Sequence, residues 1–237
     1  MNRRETFKLV LGTAALATTT GIVDVAQADD KPAAFTLPPL GYPYEALEPN
    51  IDAKTMQIHH DVHHGGYVKN LNSLVEKWPE LATPPMEAIL SNLSVVPENI
   101  RTAVRNNLGG HWNHTYFWEL MTPGGATSPT QDVKAAIDAA FGDLDKMKAL
   151  VKQAGLGRFG SGWTWLGVDK DKKLTVFSTA NQDSPHIYVG AKPILAVDVW
   201  EHAYYLKHQA KRGDYIDIWW NTVNWDKVAA SFKKATA

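Results

Sequence analysis

The chain has 237 residues, 44% of them hydrophobic and 21% charged, with a formal net charge of −1, so it has the material for a sizeable globular core. No lysine and arginine block is dense enough to trace a phosphate backbone, and a nucleic-acid partner is not expected. Cysteine is absent, which excludes disulfides, thiolate metal sites, iron–sulfur clusters and cysteine nucleophiles, and leaves histidine nitrogen and carboxylate or carbonyl oxygen as metal donors.

Residues 1–28 read as an export signal. Asn2-Arg3-Arg4-Glu5-Thr6-Phe7-Lys8 is a basic start, Leu9 to Val23 is a moderately apolar run, and Ala26-Gln27-Ala28 is a small-x-small cleavage site that would leave Asp29 as the first mature residue. The apolar run falls short of the roughly 20 residues that span a bilayer, so membrane contact is expected only through this segment if it stays uncleaved. Arg3-Arg4 with Phe7 resembles a twin-arginine signal, although the phenylalanine stands one position late. The competing reading is an ordinary secretory signal. Both place the protein in a bacterial periplasm or another extracytoplasmic compartment.

Residues 29–50 are rich in proline and aromatic residues and predict an extended arm lying on a core. Asn50 or Asp52 can cap a long helix running to about Lys77, with Met56, Val62, Tyr67, Leu71 and Leu74 at roughly helical spacing and Gly65-Gly66 weakening or bending it. Trp78-Pro79 ends that helix, a short one follows from Pro85 to Leu93, and Pro97-Glu98-Asn99 opens a second long helix to about Met121. Residues 29–121 therefore form an arm and an antiparallel helical hairpin. The proline- and glycine-rich residues 122–129 are a linker to a second domain, 130–237.

In that second half, helical patterns cover Asp132–Phe141 and Leu144–Gln153. Trp163–Val168 and Lys173–Ser178 read as a strand pair around the polar turn Asp169–Lys172, and Ile194–Val197 as a third strand. Two helices around Trp200–Ala210 and Tyr215–Val223, and a last segment from Asp226 to Lys234, close the chain. The fold class is α+β, a long N-terminal α-helical hairpin followed by an α/β domain with a small three-stranded antiparallel sheet.

Seven of the nine histidines fall in three short stretches, at His59, His60, His63 and His64, at His111 and His114, and at His202. Asp198 and His202 are four residues apart in an apolar and aromatic setting, which on a helical path puts a carboxylate and an imidazole on one side. Such a pair is more often a surface pair, but a buried aspartate without a partner is expensive, and burial here asks for a cation. His59 and His63 share one helical side, as do His60 and His64, so one pair can face inward while the other faces water, and either pair is a candidate source of ligands. Only one of His111 and His114 is expected to point inward with Trp118. Three neutral imidazoles and one carboxylate from three separated segments suit manganese, iron or zinc, and spacing alone goes no further than metal binding.

Five motifs, taken together, resemble the iron/manganese superoxide dismutase family: Ile58-His59-His60-x-x-His63-His64-x-x-Tyr67, Asn107-x-Gly-Gly-His111-x-Asn113-His114-x-x-Phe117-Trp118, Gly160-Ser161-Gly162-Trp163-x-Trp165-Leu166, Thr179-Ala180-Asn181-Gln182-Asp183-Ser184-Pro185 and Asp198-Val199-Trp200-Glu201-His202-Ala203-Tyr204-Tyr205. The match runs in order from about Phe35 to the C-terminus. The resemblance implies that His59, His114, Asp198 and His202 bind one metal, with solvent as a fifth ligand. It further implies that His63 and Tyr67 are gateway residues, that Gln182 supplies the amide facing the bound solvent, and that Trp118, Trp163 and Trp165 form an aromatic wall. Glu201 and Tyr205 would reach across a homodimer contact, Glu201 to the partner's metal-ligand histidine and Tyr205 to the partner's His63.

The implied reaction is dismutation of superoxide to O₂ and H₂O₂ by redox cycling of a single ion. Iron-type members tend to carry a glutamine four residues before the second ligand histidine. That position is Gly110 here and the amide is Gln182, which resembles the manganese type; iron, or either metal, is the alternative. Downstream, Lys211-Arg212-Gly213 stands where the family often has two arginines and a proline, so basic charge for steering an anion is kept while a planar fork is lost at Lys211. A metal-binding dimer without turnover would be marked by a missing matched position, and none is missing. A zinc hydrolase would need a His-Glu-x-x-His pattern, which the chain lacks.

Overall fold

The computed structural model describes residues 34–125, 128–188 and 190–237. The expected export signal and the middle of the expected linker lie outside the described residues, in which no helix is long and apolar enough to cross a membrane.

The first half is built on two long helical stretches packed side by side. Asp52 caps α1 (Ala53–Gln57) by accepting from the Thr55 backbone N–H at 2.9 Å. The chain then passes through a π-helical segment, Ile58–His64, into α2 (Gly65–Val75). The single long helix expected from about residue 52 to 77 is thus three pieces. The π segment carries four histidines and, with its i→i+5 bonding, redistributes them around the axis. His59, His60 and His64 are buried and His63 is half-buried, so the expected division into one inward and one outward pair does not hold. A short α3 (Met86–Ser91) leads to α4 (Glu98–Glu119), which packs along α2. Ahead of α1, the arm lies on this hairpin. The Phe35 N–H donates to Asn72 Oδ1 at 2.9 Å, and the Tyr42 hydroxyl donates to the Trp118 carbonyl at 3.2 Å.

The second half opens with α5 (Gln131–Phe141) and α6 (Leu144–Gly157), which lead into a sheet ordered β2-β1-β3 with both pairings antiparallel. Its strands are β1 (Gly162–Asp169), β2 (Leu174–Ala180) and β3 (Ala191–Asp198). Central β1 is buried on both faces, which is why it reads as an apolar run rather than an alternation. In its register Trp163 sits opposite Asp198, so the strand sets an indole directly beside the carboxylate.

After Asp198 the chain makes a 3-10 turn, Glu201–Ala203, and a four-residue α7 (Tyr205–His208), then α8 (Arg212–Trp219) and α9 (Trp225–Thr236). The helix expected around Trp200–Ala210 is therefore broken into a 3-10 turn and the four-residue α7. Asp198 ends a strand and His202 stands in a turn, and the two meet by that geometry instead of by helical spacing. Met121 bridges Val223, and the Thr122 N–H donates to the Thr222 carbonyl at 2.8 Å, tying the end of α4 to the turn before α9. Fully buried Trp163, Trp165, Trp219, Tyr215 and Phe117 fill the core between the helices and the sheet.

Candidate metal centre

Three elements deliver four donors to one point. The π segment presents His59, α4 presents His114, and the end of β3 with its following turn presents Asp198 and His202. One donor atom from each lies within 4.8 Å of all the others. His59 Nε2 is 3.0 Å, His202 Nε2 3.3 Å and His114 Nε2 3.7 Å from the same oxygen, Asp198 Oδ2. The other oxygen, Oδ1, accepts the Trp200 backbone N–H at 2.8 Å, which holds the carboxylate plane.

The site has the chemistry of a cation cradle. His114 Nδ1–H donates to the Gly110 carbonyl at 2.7 Å, so the proton is on Nδ1 and the lone pair on Nε2. That Nε2 is buried and has no hydrogen-bond partner, close to an anionic oxygen. A buried lone pair facing a carboxylate lacks a cation, and a metal supplies one. Burial, followed by the charge of His202, pulls His59 down to about 4, and burial with the charge of His59 holds His114 well below the usual imidazole range. Both are therefore neutral, the form that binds metal. Burial alone would raise Asp198, but the hydrogen bonds from His202 and His59 outweigh it and keep the carboxylate ionised.

Around these donors lie the other residues singled out in the sequence. Gln182 Oε1 accepts from Trp163 Nε1 at 3.0 Å and from Asn113 Nδ2 at 3.2 Å, so its amide nitrogen is turned the other way and donates to the Tyr67 hydroxyl oxygen at 3.1 Å. The Tyr67 hydroxyl is pushed up to about 12, by burial first and then by the Asp198 charge, against the opposing effect of Gln182. His63 stacks on His202 with ring centroids 4.1 Å apart, half-buried at the edge of the centre. Trp118 sets its ring against His59 at 4.8 Å, and Trp163 meets His114 edge-on at 5.2 Å. Trp165 stacks on Trp163 at 5.7 Å, one layer further out. Glu201 is exposed and Tyr205 is 49% exposed; within one chain neither enters the site.

Three features had not been read from the sequence. Asn113, inside a quoted motif, braces the Gln182 side chain and also donates to its backbone carbonyl at 3.1 Å. Trp200 stacks on His202 at 5.3 Å. Arg105 grips both oxygens of Asp183 at 2.5 Å, anchoring the turn that carries Gln182. The expectation that only one of His111 and His114 points inward also fails, since both are buried. His114 reaches the centre, and His111 Nδ1 instead meets His64 Nε2 at 2.7 Å.

Residues 34–122 match the iron/manganese superoxide dismutases, alpha-hairpin domain, and residues 129–231 match the iron/manganese superoxide dismutases, C-terminal domain. The chain belongs to the iron/manganese superoxide dismutase family. It is 56% identical over 204 residues to the superoxide dismutase [Mn] of Thermus thermophilus, covering 86% of this chain and 100% of the relative. To the superoxide dismutase [Mn] of Listeria innocua it is 52% identical over 201 residues, covering 85% and 98%. To the superoxide dismutase [Mn/Fe] of Methylomonas sp. it is 52% identical over 204 residues, covering 86% and 100%. As a member of the iron/manganese superoxide dismutase family the chain is an oxidoreductase that acts on superoxide, with manganese or iron as its metal, and the His59, His114, Asp198 and His202 cluster could hold that ion.

Proposed function

We propose that the protein is an exported, homodimeric superoxide dismutase of the manganese type, in which two superoxide anions and two protons become O₂ and H₂O₂. The observation that carries this reading is the convergence of three Nε2 atoms and one carboxylate oxygen on a single buried point. A bound manganese ion, cycling between +3 and +2, would take an electron from one superoxide and give one to the next. His59, His114 and His202 would hold that ion through ring nitrogens, and Asp198 would offset part of its charge.

The remaining residues handle access and protons. Because Gln182 donates to the Tyr67 oxygen, the Tyr67 O–H is left free to point into the site, and its raised pKa keeps the proton in place at neutral pH. Half-buried His63, at the edge, can pass a proton between solvent and that hydroxyl. Trp118 and Trp163 close the walls against bulk water, which strengthens the electrostatics inside.

Gly110 supports the manganese type. A Cβ there would stand 2.7 Å from the Tyr67 ring, so α4 has no room for a side chain unless Tyr67 shifts, and the active-site amide comes from Gln182 instead. The dimer is supported by apolar surface near the site. Phe159 is 99%, Leu206 57% and Tyr205 49% exposed. Arg212 donates to the Gly155, Arg158 and Gly160 carbonyls and to the Tyr204 hydroxyl, which holds the Phe159 segment beside the turn bearing Glu201 and Tyr205. Such a patch asks for a partner. Export is supported by the signal-like residues ahead of the family match at 34; replacing Arg3 and Arg4 by lysine should block it, and undiminished periplasmic levels would count against the twin-arginine route.

Metal removal followed by separate reconstitution tests the reading. Superoxide consumption should vanish with the metal and return with manganese. Full activity with iron alone would overturn the manganese assignment, and no activity with either metal would overturn the enzyme.

A further inference from the structure

Two buried histidines next to the centre, His64 and His111, have no part in the chemistry above. Both are in the sequence motifs, and both are closed off from solvent. Trp118 Nε1–H donates to His64 Nδ1 at 3.0 Å. An indole N–H is a donor only, so His64 Nδ1 must be the acceptor and His64 Nε2 must carry the proton. That Nε2–H then donates to His111 Nδ1 at 2.7 Å, which places the proton of His111 on its own Nε2. The directions of the chain Trp118, His64, His111 are thus fixed by its first member. It cannot run as a proton wire, because Trp118 has no proton to give up at neutral pH.

What the chain does is hold rings. With both nitrogens engaged, the His64 imidazole cannot turn. Its face lies against the ligand His114 at 5.4 Å and 28°, with Trp163 on another side of His114, edge-on at 85°. The indole that His64 holds meets the ligand His59 at 4.8 Å and 76°. His111 in turn is met edge-on by Phe35 of the arm at 5.8 Å. One side chain therefore steadies the surroundings of two of the three ligand imidazoles.

We infer that His64, seated on His111, is a positioning residue that holds Trp118 against His59 and packs on the face of His114, and so governs how tightly the metal is retained. This rests on the metal-centre reading above. His64 bonds no ligand itself and acts through the Trp118 indole and the face of His114, so its removal should cost less than the roughly 10- to 100-fold that follows loss of a ligand's own hydrogen-bond partner.

The test is chelator-driven metal loss from the manganese-loaded protein, alongside superoxide turnover, for His64→Leu and His64→Gln. Glutamine has an acceptor and a donor at one end and can reproduce both bonds; leucine fills space and makes neither. His64→Leu should lose manganese measurably faster than the wild type, by less than the roughly tenfold of a direct ligand partner, and His64→Gln should recover most of the difference. If His64→Leu does not fold, His111→Leu, which leaves the Trp118 bond in place, should show a smaller loss of the same kind. Equal retention by leucine and glutamine variants, or leucine retaining metal like the wild type, would overturn the inference and leave only a packing role. Wild-type protein that binds no manganese would instead overturn the metal-centre reading itself.

Discussion

At the scale of single residues, the centre depends on polar groups held by specific partners. Gln182 shows how tightly this is drawn. Its oxygen is fixed by Trp163 and Asn113, so its nitrogen has only the Tyr67 side left. Gln182→Leu should lower superoxide turnover by roughly 10- to 100-fold while manganese stays bound, as read by elemental analysis; unchanged turnover would remove Gln182 from the site. The buried imidazoles also predict an acid sensitivity of the metal-free protein. Burial first of all lowers His59 and His111 to about 4 and His64 to about 2, from 6.5. Between pH 6.5 and these values the unfolded chain binds more protons than the folded one, so stability present above pH 6.5 is lost as pH falls. Each such histidine contributes a slope of about 1.4 kcal/mol per pH unit. Denaturant unfolding of metal-free protein between pH 7.5 and 5 should show the decline, and a flat profile would contradict it.

At the scale of elements, the helical hairpin and the three strands were legible from apolar period and turn residues, to within a few residues at each end. Two local geometries were not. Residues 58–64 keep near-helical hydrophobic spacing whether bonded i→i+4 or i→i+5, so nothing in the apolar pattern separates an α-helix from the π segment that aims His59 inward. Asp198 and His202 have a spacing that fits a helix, yet Asp198 pairs with Trp163 across the sheet, and that long-range pairing decides its conformation. The π segment predicts an effect of its own. Deleting Val62, which is 62% exposed, restores shorter spacing among the histidines. It should cut manganese retention about tenfold or more in a protein whose circular dichroism stays helical; normal retention would show that the π geometry is dispensable. Gly110→Ala tests the hairpin in the same way. Its Cβ would press on the Tyr67 ring at 2.7 Å, and a drop in turnover and thermal stability is expected.

At the scale of the whole molecule, the four ligands could be named before the fold only because family motifs fixed which of nine histidines to choose. Spacing alone left the pair His59 and His63 against the pair His60 and His64, and His111 against His114, undecided, since burial of a histidine does not distinguish a ligand from a hydrogen-bonded neighbour such as His64. The fold brings His59 and His114 together with Asp198 and His202 in one cluster that could hold an ion. The exposed Glu201, Tyr205, Leu206 and Phe159 predict the next level of assembly: Glu201→Ala should weaken a dimer seen by sedimentation and lower turnover with it, and a stable, fully active dimer would contradict that role. The most direct measurement of all is a titration of metal-stripped protein with manganese while superoxide consumption is followed. Activity should rise in proportion to added manganese and stop at one ion per chain, with Asp198→Ala showing no rise. Activity without metal, or an Asp198→Ala protein that titrates like the wild type, would contradict the assignment of His59, His114, Asp198 and His202 as the redox centre.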